Sequence, residues 1–260
     1  MYALTWGVRS IEKGKGIEKL FFDLASESRI DIIRELKEQN LKNNELGGKL
    51  DLTATEAFRQ LQHLTEALIV QRLPDGTYTI TNYGKLTLQL IQSLEFTFKH
   101  KEYFLNHDVW RLPYQFVNRI GELSRSTLDM DTIENINRAG QMFSEAEKHA
   151  WAMGEKLLDS LGPAMARPIS KGVKFRFMGC ESRLPNFNHV PGEAPHIELR
   201  TFTDIPITIV TTEKEACICL PSTEGRMDYA AFYGTDPKFV NWARELFLYY
   251  WDKGKPSNPT

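Results

Sequence analysis

The stretch from Leu52 to Thr81, LTATEAFRQLQHLTEALIVQRLPDGTYTIT, constrains the fold more than any other part of the chain. Thr53 and Glu56 stand three apart just before an apolar-periodic run, the spacing at which a hydroxyl and a carboxylate cap a helix start reciprocally. Phe58, Leu61, Leu64 and Leu68 then fall on one helical stripe, which places Thr55, Arg59, Gln62 and His63 on or beside the outer face. From Leu68 to Leu73 the pattern turns β-like. Pro74-Asp75-Gly76 supplies turn chemistry, and Tyr78-Thr79-Ile80-Thr81 alternates as a returning strand.

Helix, strand, tight turn and strand, in that order, is the arrangement of a winged helix-turn-helix, whose second helix enters the DNA major groove. A helix packed on a hairpin with no nucleic acid involved gives the same pattern. On the DNA reading, Thr53, Thr55, Arg59, Gln62 and His63 approach base edges or phosphates, while Arg72 and Thr77 lie on the wing. Charge points the other way. The formal net charge is −2, and residues 1–82 hold 11 Lys and Arg against 12 Asp and Glu. Phosphate contacts from Lys and Arg dominate affinity. Binding must therefore rest on local clustering or on presentation by a dimer.

Residues 1–16 end in Glu-Lys-Gly-Lys-Gly and read as a weakly structured arm. Ile17, Leu20, Phe21 and Leu24 share one helical face. Ser26 or Ser28 can cap a second helix with the stripe Ile30, Ile33 and Leu36, Ile32 lying beside it, and Asn43-Asn44 opens a third that ends near Gly47-Gly48. Taken in unbroken order over roughly residues 17–82, LASESRIDIIRELKEQ, LTATEAFRQLQHLTEALIVQR and the PDGTYTIT wing resemble the ArsR-type winged-helix repressors. Metal-sensing members of that group often carry Cys or His ligands in this domain. Residues 1–82 contain no cysteine and a single histidine, His63, so metal sensing of that kind is not expected, and no cofactor is expected either.

A long amphipathic segment follows from Asn82 to about Asn106, with Tyr83, Leu86, Leu90, Ile91, Leu94 and Phe98 on its apolar side. That side needs a partner, either its own domain or a second copy of the chain. The winged-helix resemblance implies a linker helix that forms a dimer, presenting two recognition helices about one DNA turn apart. The expected organisation is an α+β winged helix-turn-helix domain over 1–82, a linker and dimerisation helix over 83–106, and an α/β regulatory domain over 107–260.

The length allows two domains with separate cores. With 42% hydrophobic and 25% charged residues, the composition is that of an ordinary globular protein. No apolar run reaches the ~18 residues of a membrane span, so no membrane partner is expected. MYALTWGVRS lacks the basic start and apolar core of a signal peptide. Cys180, Cys217 and Cys219 make no disulfide framework, and a reducing cytoplasm is the expected setting.

In the second half, Pro113–Ile120 reads as a helix ended by Gly121, and Ile133, Ile136, Gly140 and Phe143 mark another. His149–Met153 reads as a strand. Gly154–Leu161 reads as a helix, broken by Gly162-Pro163 and again by Pro168. Val173, Phe175 and Phe177 alternate with Lys174 and Arg176 as a strand. Residues 183–197 hold three prolines and one glycine and read as a loop. Strands resume at Glu198–Phe202, Ile207–Thr212 and Ala216–Leu220, the last two joined by Glu213-Lys214-Glu215. Asp236 caps and Pro237 opens a final helix carrying Phe239, Trp242, Leu246, Phe247, Tyr250 and Trp251. Lys253 to Thr260 reads as a polar tail. Helices and strands interleave, which predicts an α/β fold.

The closing segment FYGTDPKFVNWARELFLYYWDKGKP resembles the end of the archaeal methanogenesis-regulator (FilR-type) middle domain. The order of a tryptophan-bearing strand, GVKFRFM and the ITIVTTEKEACICL hairpin agrees with it over about residues 107–253. The two resemblances together imply an archaeal transcriptional regulator. The departures are the Pro-rich 183–197 stretch and the broken helix before Val173, where a ligand site can differ, so ligand identity does not carry over.

Cys217 and Cys219 stand two apart on a strand and point to one face. A metal would need further ligands, with Cys180, His189 and His196 as candidates, but structural zinc pairs usually have two to four residues between the cysteines. Small side chains filling a core account for the pair. Phospholipase-D-like phosphodiesterases have a similar α/β fold and need His-x-Lys, which this sequence lacks. It also has no Gly-rich phosphate loop and no Gly-x-Ser-x-Gly elbow, so catalysis is not expected. Trp151, Arg176, Arg183, Arg200, Tyr229 and Tyr233 are candidates for an effector pocket of aromatic walls and fixed polar groups, arginine being suited to a carboxylate or phosphate. Core aromatics with solvated arginines would look the same. The sequence thus points to a dimeric transcriptional regulator that binds double-stranded DNA, with a second half that senses a small-molecule effector or mediates assembly, the alternatives being a phosphodiesterase-like enzyme or a protein-interaction module.

Overall fold

The computed structural model describes residues 16–154, 164, 168, 170–180 and 196–257. Within them the chain divides between Ile91 and Gln92 into two units with separate cores. The division falls inside one helix, α5 (Asn82–Lys99), and not at an end of the expected 83–106 linker. The first unit's core takes Leu88 from this helix and the second unit's core takes Phe96.

The first unit runs α1 (Ile17–Leu24), α2 (Glu27–Glu38), α3 (Asn43–Leu50), α4 (Ala54–Glu66), β1 (Val70–Arg72) and β2 (Tyr78–Ile80) into α5. Its core joins Ile32, Ile33 and Leu36 of α2, Leu46 of α3, and Leu61 and Leu64 of α4 to Ile69, Val70, Tyr78 and Ile80 around the hairpin. Leu20 and Leu24 of α1 pack against that core, whereas Ile17 and Phe21 stay exposed. α3 continues past Gly47-Gly48 and stops at Asp51, which adopts the left-handed conformation (φ 53°) that aspartate tolerates better than most residues. β1 and β2 are antiparallel, with Val70 opposite Ile80 and Arg72 opposite Tyr78. Leu41 adds a bridge to the free side of the hairpin: its N–H donates to the Tyr78 carbonyl at 3.2 Å, and the Tyr78 N–H donates back at 2.8 Å. Gly84 lets α5 close on the hairpin, because a Cβ there would lie 2.2 Å from the Ile69 carbonyl oxygen.

Among the described residues, the second unit is built on an eight-stranded sheet. Its strands are β3 (Thr127–Asp129), β4 (His149–Met153), β5 (Lys174–Gly179), β6 (Ile197–Thr201), β7 (Thr208–Thr212), β8 (Ala216–Cys219), β9 (Ala231–Gly234) and β10 (Lys255–Ser257), in the order β10-β6-β5-β4-β7-β8-β9-β3. β4, β5 and β6 are parallel neighbours, and every other pair is antiparallel. The sheet is therefore mixed, since short connections such as Glu213-Lys214-Glu215 can only return a strand antiparallel. The tail expected to be free from Lys253 instead carries β10, which pairs with β6 along the sheet edge.

Alternation along the strands sorts the second unit into two layers. One face carries Met153, Met178, Ile209, Ile218 and Phe232 against α9 (Pro237–Trp251), α6 (Lys101–Asn106) and α7 (Tyr114–Val117). Asp236 caps α9 through the Lys238 N–H, Pro237 sits in its first turn, and all six aromatic and leucine positions expected on its inner face are buried. The other face carries Ala150, Ala152, Phe175, Phe177, Val210, Cys217 and Cys219 against Met142 and Phe143 of α8 (Thr132–Glu145). Ile133, expected on the apolar face of α8, is exposed, and Asn135 is buried in its place, bonding the Asp129 and Tyr229 carbonyls at 3.0 Å each. Gly121 does not end a helix. It lies in a 3-10 turn where a Cβ would sit 2.9 Å from the Ser93 backbone nitrogen. Apart from Gly154, which follows β4 and is not helical, the helix expected over 154–161 and most of the 183–197 loop lie outside the described residues.

Candidate nucleic-acid interface

Helix α4 starts with the expected reciprocal cap. The Thr53 hydroxyl accepts from the Glu56 N–H at 3.2 Å, and the Glu56 carboxylate accepts from the Thr53 N–H at 3.0 Å. Hydrogen bonds from the Thr53 hydroxyl and backbone hold the Glu56 carboxyl below the usual carboxylate range. Thr53 is therefore engaged in fixing the helix start.

The core side of α4 is Ala57, Leu61 and Leu64. At 3.6 residues per turn, the directly opposite side is Thr55, Arg59, Gln62 and Glu66, flanked by Phe58 and His63. All six are exposed. Thr55, Arg59, Gln62 and His63 thus share one outward surface. The register of the expected apolar stripe needs correction: Phe58 is 52% exposed and Leu68 is 70% exposed. Leu68 lies beyond the helix, at a left-handed φ of 61°, so it cannot continue the stripe. The buried position at the start of the stripe is Ala57.

The hairpin turn is fixed by its own side chains. Asp75 Oδ1 accepts from the Thr77 N–H at 2.9 Å and from the Thr77 hydroxyl at 2.7 Å, which keeps the Asp75 carboxyl below its usual range. Gly76 takes the positive φ of 84° that the turn requires. Thr77 is thus a structural residue of the turn, while Gln71 and Arg72 of β1 are exposed. Among the described residues Arg59 and Arg72 form no ion pair, whereas Arg34, Lys37 and Lys49 pair with Asp31, Glu38 and Glu35. The exposed cations outside any such pair thus include Arg59 on the helix and Arg72 on the hairpin beside it, together with Lys19, Lys42 and Lys85 elsewhere in the first unit. Along α5, Tyr83, Leu86, Leu90, Leu94 and Phe98 recur every three or four residues and are all exposed.

The candidate effector residues do not converge. Trp151, Arg176 and Arg200 lie on the α9 face of the sheet. The Arg176 guanidinium stands 5.1 Å from the Trp151 ring and 5.3 Å from the Trp251 ring and pairs with Glu198 at 3.1 Å. Arg200 stands over Trp251 at 4.8 Å and donates to its carbonyl at 2.6 Å. Tyr233 is on the opposite face, under the Arg138 guanidinium at 3.5 Å. Tyr229 precedes β9 at a φ of 63°, and Arg183 lies outside the described residues. Trp251 is the member of the Arg176 cluster that strand patterns missed, because it arrives from α9. Beside it, the His149 ring packs 4.7 Å from Trp151, with Nε2 buried and without a hydrogen-bond partner.

Cys217 and Cys219 are buried on the α8 face. The hydrogen bond with Cys217, together with burial, pushes the Cys219 thiol well above its usual range. Among the described residues no three His, Cys, Asp or Glu side chains gather as a metal site, and His189 lies outside them. No helix among the described residues is long and apolar enough to cross a membrane.

Residues 191–253 match the family described as methanogenesis regulatory protein FilR1, middle domain. The part of that match within the described residues spans β6 to the end of α9. The chain is 28% identical over 108 residues to the methanogenesis regulatory protein FilR1 of Methanothrix harundinacea (strain 6Ac), an alignment covering 40% of this chain and 24% of that protein. The chain thus spans about a quarter of the length of this curated relative. Among solved structures, similarity extends to TrmBL2, an archaeal chromatin protein described as showing a novel mode of DNA binding (TM-score 0.43, 15% identity, 93% of this chain and 97% of that one). It extends also to the phospholipase D family member Nuc from Salmonella typhimurium (TM-score 0.35, 13% identity, 47% of this chain and 90% of that one).

Proposed function

We propose that this chain is a DNA-binding transcriptional regulator of the cytoplasm that acts as a homodimer, with a winged helix-turn-helix in the first unit and a sensing or assembly role in the second. The observation that carries this reading is the outward face of α4. A capped helix, anchored by Ala57, Leu61 and Leu64, turns Thr55, Arg59, Gln62 and His63 to solvent and runs directly into an antiparallel hairpin bearing Arg72. That is the layout in which a helix reads base edges and a wing meets the phosphate backbone.

Two further observations support it. The match over 191–253 and the 28% identical relative both carry the description of a regulatory protein. The exposed stripe on α5 offers a second copy of the chain an apolar surface, and a two-fold dimer doubles the few cations that each copy presents. On this reading residues 83–106 link and dimerise, and residues 107–260 regulate. An effector would meet the Trp151–Arg176–Trp251 cluster, where stacked rings and guanidinium groups suit a flat anion.

Fluorescence anisotropy with duplexes selected from a randomised pool tests the DNA reading. Affinity is expected to fall steeply and log-linearly as salt rises. Binding that is absent, or indifferent to salt, would leave the first unit as a protein-binding module.

A further inference from the structure

Phe58 is a large apolar side chain on the face of α4 that the DNA reading assigns to the duplex. The residue is 52% exposed although the sequence pattern allots it to the core, and the core closes without it over Ala57, Leu61 and Leu64. Its neighbours one turn away on the same surface are Thr55 and Gln62, both exposed and polar. Gln62 is itself oriented: its amide nitrogen donates to the Glu66 carboxylate at 3.3 Å. Since a carboxylate only accepts, this bond occupies one amide N–H and leaves the carbonyl oxygen free as an acceptor. One turn of α4 therefore presents an apolar ring beside a hydrogen-bond acceptor.

That pair has a complement in the major groove. An A·T pair offers the adenine N6 amino donor and the thymine 5-methyl group there, and a G·C pair offers no methyl. We propose that Phe58 is a base-reading residue that packs on a thymine 5-methyl group, with Gln62 accepting from the adenine amino group alongside, so that the bound site carries an A·T pair where the middle of α4 enters the groove. The proposal rests on the DNA-binding reading above and adds the chemistry of one position in the site.

Uracil substitution tests it, because it removes the methyl and leaves the base-pairing edge intact. A duplex selected by the full chain from a randomised pool is remade with single thymines replaced by uracil, and anisotropy is read for the unaltered protein, Phe58→Ala and Phe58→Leu. The unaltered protein should bind roughly three- to fivefold more weakly when a contacted thymine is replaced, the worth of one buried methyl. Phe58→Ala should bind thymine and uracil duplexes alike, and Phe58→Leu should keep a smaller gap. Circular dichroism and thermal unfolding of Phe58→Ala should match the unaltered protein, as the ring is not in the core. Equal binding of thymine and uracil duplexes by the unaltered protein, or a Phe58→Ala loss that leaves the gap intact, would overturn the role of Phe58 while leaving DNA binding in place. Failure to bind any duplex in a salt-dependent way would overturn the DNA reading and this assignment with it.

Discussion

Arg29 and Arg59 show how differently two arginines of one unit are used. Arg29 is buried, donating through Nη2 to the Phe22 carbonyl at 2.8 Å, through Nη1 to Gln60 Oε1 at 3.2 Å and through Nε to the Asp23 carbonyl. It ties the end of α1 to α4. Replacing it with Met should cost about 2 kcal/mol, the scale of hydrogen bonds from a charged donor, and lower the thermal midpoint. Arg59 is exposed and outside any ion pair among the described residues, so Arg59→Ala should leave the midpoint unchanged. On the DNA reading the same change weakens binding by about 1–3 kcal/mol if the guanidinium reaches a guanine edge, or lowers the salt slope by about 1 if it meets a phosphate. His100 gives a prediction in pH. Burial against Phe96 and Phe232, and secondarily the charge of Lys99, lower its pKa below 6.5, so folding favours the neutral ring. The corresponding stability is present above pH 6.5 and is lost as pH falls through the folded-state value. His149 is lowered by burial in the same direction. A pH series of urea unfolding should show stability declining below pH 6.5, with a shallower decline in His100→Leu.

Elements were legible in the sequence where local chemistry and tertiary packing agree. The Thr53–Glu56 cap, the Asp75-Gly76 turn and the Asp236-Pro237 start lie where side-chain chemistry alone places them. Thr53→Ala should therefore cost about 1 kcal/mol, read as a lower denaturation midpoint. The stripe of α4 was misread because Ala57 carries too little apolar surface to stand out, while Phe58 and Leu68 carry a great deal; close packing selected the small residue. β3 and β10 were missed because each is a three-residue edge strand held by backbone pairing, and Pro256 in β10 is tolerated on an edge. Gly84 left no pattern at all, and Gly121 suggested only a helix end. Each permits a close backbone approach that exists only in the folded chain, so Gly84→Ala should destabilise the first unit by roughly 1–3 kcal/mol through overpacking against the Ile69 carbonyl.

At the scale of the whole molecule, the candidate effector residues were the least legible. Aromatic and arginine content suggested one pocket, but strand alternation sends Trp151, Arg176 and Arg200 to one face and Tyr233 to the other, and the partner that completes the first group, Trp251, comes from a distant helix. The dimer is the next test. If a second copy covers the α5 stripe, Leu90→Glu should yield monomers by light scattering and weaken DNA binding in parallel, while the unaltered chain sediments as a dimer. The central claim is that the outward face of α4 meets a duplex. Its most direct measurement is the salt-dependent anisotropy of the unaltered chain and Arg59→Ala on one selected duplex. The account predicts a steep log-linear loss of affinity with salt and clearly weaker binding by Arg59→Ala at every salt concentration; superimposable titrations of the two proteins, or affinity unmoved by salt, would contradict it.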